Sequence, residues 1–581
     1  MAGTTVDFTS IIHSDQLACE IANRYREWDM LRNQWVESRK ELRNYLYATS
    51  TLTTSNAILP WSNTTTIPKL TQIADNLHAN YMATLFPQNK WMRWEALDKD
   101  SGYERKKGII QDYMDNKLRQ SGFISTASLL LQDWIQTGNC FATVSFERKY
   151  RNKEDGTEVL SYIGPKLIRI SPYDIVFNPT AESFVKTPKI VKSILSIGEI
   201  AKLIKEDPTN EYMNQVFDKM VTARAAVRNG GNTWAKTDGY IADGFSSIQH
   251  YYESNYVEVL TFYGDIYDFE SGQLMQDRVI TVLDRAYILN NVENPSWAGI
   301  APIFHSGWRE RPDNLYAMGP LDNLVGMQYR IDHLENLKAD IFDQIAYPIL
   351  KIKGDVQEFV FEPGAKIYLG EESDVAYLVP DATALQADFQ IRSLEDKMEE
   401  MAGAPRQAMG IRTPGEKTAF EVQQLQNSAS RIFEHKAAHF ERVFLEKILN
   451  AMLETARRNL DVAEEIVVKD QASGADVFIS IQKEDIVGNG KIVPIGARHF
   501  AERARRIQNL QQLWTVKSSD PAVGAHLSGK EFARVLAEEL GEPKLFGENI
   551  GVTEQAETAL AANDQEATLQ ENLAISAEQG I

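Results

Sequence analysis

Cysteine is scarce: Cys19 and Cys140 are the two in 581 residues. That excludes a disulfide framework and a zinc ribbon, and it suits small buried thiols in a reducing compartment. No stretch reaches the roughly 18 apolar residues that a membrane-spanning helix needs. The opening "MAGTTVDFTSIIHSDQLACE" has neither the basic start nor the apolar centre of a secretory signal. The expectation is therefore a soluble chain made in the cytoplasm with no membrane partner, where the sequon at Asn63-Thr64-Thr65 carries no meaning. Cations are in deficit too, with 61 Lys and Arg against 81 Asp and Glu and a formal net charge of −20. Proteins that grip nucleic acid broadly use cations to displace counterions from phosphates. This chain could touch DNA only at local basic spots, or let it pass unheld. No internal repeat of about 20–50 residues is visible, which excludes solenoids and propellers.

What is present describes a globular protein. Hydrophobic residues make up 43% and charged residues 24%, enough for a sizeable core. The length suits about three to five domain-sized units.

The N-terminal segment reads as helix to Tyr47, with Leu17, Ile21, Tyr25, Trp28, Leu31, Trp35, Leu42 and Leu46 recurring at helical spacings. After a Thr/Ser/Asn-rich stretch, a second amphipathic helix runs from about Lys69 to Phe86 and stops at Pro87. Helices continue from about Gly102 to Gln136. "CFATVSFERKY", "LSYIGPKLIRISPYDIVFNP" and "VEVLTFYGDIYDFESGQLMQDRVITVLDRAYILN" alternate, are rich in β-branched and aromatic residues, and read as strands. Ile197 to Asn229 reads as helices between them. Met318 to Ala346 is helical again, followed by short strands with turns at Lys353-Gly354 and Pro363-Gly364. A helix from Ala387 to Met401 presents Leu394, Met398 and Met401 on one face. A Pro/Gly loop, "GAPRQAMGIRTPGEK", precedes a long helix over Thr418 to Leu460. Its apolar stripe is Val422, Leu425, Ile432, Phe433, Phe440, Phe444, Ile448, Met452 and Leu453. "VFISIQKEDIVGNGKIVPIGA" reads as a strand pair around Gly488-Asn489-Gly490. Helices at Arg498–Val516 and Lys530–Leu540 and an Ala/Gln/Glu-rich tail from Gly551 complete the chain.

Several motifs invite a chemical reading and fall short of it. "GAHLSGK", Gly524 to Lys530, begins a phosphate loop but continues with Glu531 where Mg²⁺ needs a hydroxyl, and no strand precedes it. Ser528 with Glu531 makes a capping box instead. His435 and His439 stand at i and i+4, a spacing that can hold zinc. The Glu that follows the first His in metalloproteases is absent, and no third ligand is identifiable. "DKDSGYE" at Asp98 has its Gly one place early for a calcium loop. The aromatic run "FPQNKWMRWEAL", Phe86 to Leu97, has no basic surround and suits core packing. No nucleophile–base constellation is present. The expectation is no catalytic residue, no metal and no cofactor.

The order of elements carries more than any motif. A mixed α/β part is followed by helix, small β insert, helix, loop, long helix, strand pair and terminal helices. With "LFPQNKWMRWEAL", "IRISPYDIVFNPTA" and "GAPRQAMGIRTPGEKTAFEVQQLQNSASRIFEHKAAHFERVFLEKIL", this order resembles the portal, or head-to-tail connector, proteins of tailed bacteriophages in the podovirus-like form. The resemblance spans about Trp28 to Leu540.

It implies an α+β, mainly helical portal fold in a cyclic ring of about twelve subunits. Residues 1–317 would form the wing, 318–346 a stem helix, 347–386 the clip and 387–402 the second stem helix. Residues 403–417 would be the tunnel loop, 418–496 a long kinked helix with wing strands, 497–548 the crown, and 549–581 an acidic tail. On the tunnel loop, Arg406, Gln407, Met409, Ile411, Arg412 and Lys417 would face passing DNA. The cations would meet phosphates transiently, and Met409 and Ile411 would pack loop against loop. Implied partners are double-stranded DNA in transit, the terminase large subunit, tail adaptor proteins, and the major capsid and scaffold proteins. The implied location is the portal vertex of the virion, and the implied role is not enzymatic. Competing readings are another virion assembly or scaffold protein, or a hydrolase built on His435 and His439 or on Lys530.

Overall fold

A 32-residue helix, α1 (Gln16–Tyr47), opens the fold, and its apolar spacing sets what it covers. Leu17, Ala18, Ile21, Tyr25 and Trp28 are buried against Val176, Ile190, Leu260, Phe262, Ile280 and Val282. The expected stripe is corrected at Leu31, which is exposed. The computed structural model describes residues 16–47, 63, 65–87, 91–96, 103–152, 158–206, 211–228, 254–268, 272–296, 302–346, 349–354, 368, 374–378, 386–402, 432–460, 464–469, 476–496, 510, 514 and 535. The chain divides into two compact units, Met1–Ile466 with Ile479–Gly496, and Val467–Phe478 with Ala497–Ile581. All features below belong to the first unit unless stated.

Among the described residues, five helices and nine strands follow before residue 308. They are α2 (Lys69–Leu85), β1 (Met92–Ala96), α3 (Tyr103–Gln120), α4 (Phe123–Thr137), β2 (Asn139–Asn152), β3 (Glu158–Ile170), β4 (Ile175–Phe177), β5 (Lys189–Ser196), α5 (Ile197–Glu206), α6 (Glu211–Arg228), β6 (Tyr256–Asp268), β7 (Gln273–Leu283), β8 (Tyr287–Glu293) and β9 (Ile303–Gly307). The stretch expected as helices to Gln136 is two helices, and Gly122, with a left-handed φ of 69°, separates α3 from α4. The fold is α+β, with antiparallel sheets in the orders β4-β5-β6-β7-β8 and β3-β2-β9.

Strand alternation explains how the five-stranded sheet is covered. On β6, Leu260 and Phe262 join the α1 core, while Val257 and Val259 pack with Ile200, Ile204 and Met220 of α5 and α6. Successive side chains on a strand face opposite ways, so both faces are sealed by helices. Asp284 and Arg285 in the β7–β8 turn both have positive φ. Two buried ion pairs hold that turn: Arg224 with Asp284 at 2.7 and 2.9 Å, and Arg285 with Glu258 at 2.7 Å twice.

The SPYD segment is also held by α1. Arg32 donates to the carbonyl oxygens of Pro172, Tyr173 and Ile175 at 3.2, 2.7 and 2.8 Å. One arginine thus satisfies the carbonyls of the Pro172-Tyr173 turn and of the first residue of β4. The aromatic run packs as core: Met92 and Trp94 are buried, and Trp91 stacks on Phe123. Cys140 is buried, but Cys19 is only half-buried.

The C-terminal half holds α7 (Val325–Ala346), β10 (Ile349–Lys353), β11 (Asp374–Leu378), α8 (Asp388–Ala402), a helix α9 over 432–459, β12 (Glu464–Lys469), β13 (Asp476–Ile481), a one-turn helix α10 (Lys483–Ile486) and β14 (Gly490–Pro494). The helix expected from Met318 begins later. Met318 instead bridges Arg309, and a 3₁₀ turn at Asp322–Leu324 leads into α7. On α8 the buried positions are Ile391, Met398, Glu399 and Ala402, so Met401, expected inside, is exposed.

Helix α9 changes its winding midway. Glu441–Leu445 form a π-helical turn between two α-helical arms. Ile432, expected in the stripe, is exposed, whereas Phe440, Phe444, Ile448, Met452 and Leu453 are buried as expected. Val422 and Leu425 lie outside the described residues.

The expected strand pair around Gly488-Asn489-Gly490 is corrected. β13 pairs with β12, whereas β14 pairs with β1, Ile492 opposite Trp94. The glycines serve close approach rather than a hairpin turn. A Cβ on Gly490 would overlap the Trp94 ring and lie 2.6 Å from the Glu95 carbonyl oxygen. In the second unit only 467–469, 476–478 and three single residues are described.

Candidate functional site

The expected stem centres on α7, and its sequence places four polar side chains four residues apart: Gln328, Asp332, Asn336 and Asp340. That spacing aligns them in one row with a rise of about 6 Å per step. An extended backbone repeats every two residues at about 6.6 Å, and Asn63, Thr65 and Ile67 use the match. Asn63 N–H donates to Asp340 Oδ1 at 2.7 Å, Thr65 N–H to Asn336 Oδ1 at 2.9 Å, and Ile67 N–H to Asp332 Oδ1 at 3.0 Å. In return Asn336 donates to Thr65 O at 2.9 Å and Gln328 to Ile67 O at 2.6 Å. Gln328 Oε1 accepts from Leu70 N–H at 3.1 Å, satisfying an orphan donor at the start of α2. The helix side chains stand in for a neighbouring strand.

Burial gives this row an electrostatic character. Asp332 is fully buried, and its Oδ2 has no hydrogen-bond partner. Burial pushes its carboxyl up from the ordinary 3.8 to about 6, against the opposing hydrogen bonds from Ile67 and Gln328.

Three further ion pairs join these elements. Lys69 at the start of α2 reaches Glu399 of α8 at 2.5 Å, with both side chains buried. Lys338 of α7 bonds Asp388 at the start of α8 at 2.7 Å and Glu335 at 3.1 Å. Arg39 of α1 forms a buried two-pronged pair with Asp322 just before α7.

The far end of this unit is apolar and uncovered. Leu337, Phe342 and Ile345 on α7, Ile352 on β10, Leu378 on β11 and Phe389 on α8 are exposed, Phe389 to 85%. β10 and β11 pair antiparallel between the two helices, with Ile349 opposite Leu378.

Helix α9 is fixed by contacts on both sides of its π-turn. Phe433 stacks on Tyr81 with ring centroids 4.4 Å apart, and Phe440 packs on Trp134 at 4.9 Å. Lys436 lies over the Trp308 ring and donates to its carbonyl oxygen. Beyond the turn, the Asn450 amide exchanges two bonds with the Ile492 backbone, at 2.9 and 2.8 Å. It acts as a surrogate strand for the edge of β14.

The residues expected to meet DNA, Arg406, Gln407, Met409, Ile411, Arg412 and Lys417, lie outside the described residues, as do Lys530 and its GAHLSGK segment. His435 is exposed on α9, and His439 Nε2 lies 3.4 Å from Glu310 Oε1. Among the described residues, no three His, Cys, Asp or Glu side chains converge to hold a metal ion. A cleft of about 790 Å³ adjoins this pair, lined by Phe184, Ile303, His305, Glu310, Lys447 and Thr455 among others. Of its charged groups, Arg311 pairs with Asp313 and Glu310 lies beside His439. His305 is stacked on Phe141, 3.0 Å from Asn139 Oδ1, and burial lowers its pKa to about 4. It is a neutral core histidine at ordinary pH.

Sequence reasoning missed the polar row on α7. The i+4 repeat of Gln, Asp, Asn and Asp was visible, but its partner segment lies more than 250 positions away. No family model matches the chain, and no curated protein matches it. Among the described residues, no helix is long and apolar enough to cross a membrane.

Proposed function

We propose that this chain is the portal subunit of a tailed bacteriophage. It forms a non-enzymatic ring of about twelve copies at one capsid vertex, through which double-stranded DNA is packaged and ejected. The observation that carries the reading is the helix–strand pair–helix unit of α7, β10–β11 and α8, whose outer end exposes six large apolar side chains. A lone subunit leaves these side chains in water, and a neighbouring copy would cover them. The bend-prone π-turn in α9 and the order of elements agree with the kinked long helix of the resemblance. In this reading the 403–417 loop projects into the channel, and Arg406, Arg412 and Lys417 meet phosphates in passing. Gln407, Met409 and Ile411 line the loop beside them. The net charge of −20 then favours sliding over retention. The terminase large subunit docks during packaging and tail adaptor proteins afterwards, with the capsid and scaffold proteins around the ring in the virion.

The test is electron microscopy of the purified full-length chain without imposed symmetry. A closed ring of about 0.8 MDa, about twelve copies of a 65.7 kDa chain, is the expected result. Phe342→Asp combined with Phe389→Ser should release subunits that keep their circular dichroism. A wild-type chain that stays monomeric at the same concentration counts against the ring. Deleting Met409–Pro414 should spare the ring and reduce packaged DNA, and an undiminished DNA yield removes the loop from the channel.

A further inference from the structure

A second cavity, of about 310 Å³, lies between α1, α4 and the turn after β3. Three guanidinium groups line it: Arg39 and Arg43, one turn apart on α1, and Arg169 near the end of β3. Asp133 is the one carboxylate among the lining residues. Arg39 commits both terminal nitrogens to Asp322. Arg169 commits Nε and Nη2 to Asp133, the latter at 2.7 Å. Asp174, beyond the lining, is near enough to act on Arg169 as well, but among the described residues Arg43 forms no ion pair, so it is the lining cation left without a carboxylate partner.

We infer that this cavity binds a phosphoryl-sized oxyanion, with Arg43 as its main cationic contact. Phosphate oxygens are met best by forked N–H donors, and Arg43 on α1 and the remaining Nη1 of Arg169 on β3 supply them from two different elements. Uncommitted neutral donors stand beside them. The Gln132 amide is exposed at the rim, and the Ser171 hydroxyl accepts from Tyr173 N–H but keeps its own hydrogen free to donate. Tyr47 and Gln136 are hydrogen-bonded to each other at the edge, which holds that wall in place. A concave site with low-dielectric walls focuses the field of one unpaired charge more than an open surface does. The volume admits a phosphate with a small substituent and is too narrow for a duplex to enter. A nucleic-acid backbone could therefore offer only one phosphate at the mouth, whereas a free phosphate or a phosphate monoester could enter whole. The inference is independent of the ring reading.

The experiment titrates inorganic phosphate into the full-length chain by calorimetry and thermal unfolding, against sodium chloride of equal ionic strength. The expected result is saturable binding and stabilisation by phosphate. Arg43→Gln should weaken it on the order of tenfold, as expected for losing one charge-assisted bond. Arg43→Lys should fall between, because it keeps the charge and loses the fork. Arg26→Gln, on the exposed face of the same helix, should leave binding unchanged. Displacement of phosphate by a mononucleotide assigns the source as a small phosphate ester. Displacement by a short duplex assigns it as backbone phosphate. Either outcome supports the site. No saturable effect beyond the chloride control, or equal affinity in a folded Arg43→Gln protein, overturns it.

Discussion

Replacing Asp332 with Asn should flatten the pH dependence of the contact between α7 and the 63–70 segment. The carboxyl titrates at about 6 in the fold against an ordinary 3.8. A raised carboxylate pKa means the native state binds the proton more readily than the opened state. Stability of this contact should therefore fall as pH rises from about 4 to about 6, and the penalty is fully present above that window. The shift corresponds to about 3 kcal/mol, on the order of a hundredfold in a local opening equilibrium. Asparagine retains the Oδ1 that accepts from Ile67 and Gln328, but its amide nitrogen takes the unpartnered position of Oδ2 at a cost of about 1–2 kcal/mol. The net gain at pH 7.5 is about 1–2 kcal/mol, and it disappears by about pH 4.5. Hydrogen exchange read on a peptide spanning Thr65 to Leu70, as protection factors corrected for intrinsic rate, measures this directly. A wild-type protection that rises with pH across the window would refute the reasoning. So would an Asp332→Asn protein that retains the full slope.

Two other substitutions probe packing and charge. Gly490→Ala places a methyl into the Trp94 ring and the Glu95 carbonyl oxygen. It should cost about 1–3 kcal/mol as overpacking, seen as a lower midpoint and an altered tryptophan emission; an unchanged midpoint would mean that β1 and β14 separate freely. Glu399→Ala leaves Lys69 buried without its partner and should cost about 3–5 kcal/mol. Exchanging both for Met should cost much less in a double-mutant cycle, and strictly additive losses would refute the pairing.

The sequence made the elements legible and their long-range partners much less so. The stripe of α1 and the strands from β2 to β8 follow from periodicity, because a sealed core imposes its spacing on every residue that enters it. Leu31 and Ile432 break the pattern, since the same spacing continues on positions that face outward. The GNG stretch was misread for a different reason. Gly488 and Gly490 look like turn residues, but what they accommodate is the indole of Trp94, nearly 400 positions earlier. Likewise the row from Gln328 to Asp340 has a visible period and no visible partner. The expected channel residues lie in 403–417, so the candidate site was legible only through the helices that flank it.

The π-turn in α9 fixes the rotational phase of that helix. It adds about one residue to a single turn, so everything before it is rotated by about 100° relative to everything after it. Phe433 and Phe440 meet Tyr81 and Trp134 on one side of this slip, and Asn450 meets Ile492 on the other. An unbroken α-helix of this sequence could satisfy one set or the other. Residue count between Phe440 and Asn450 is thus as much a part of the lock as residue identity: a further one-residue insertion there would throw the two sets out of phase, whereas loss of the one extra residue would leave a plain α-turn that keeps both.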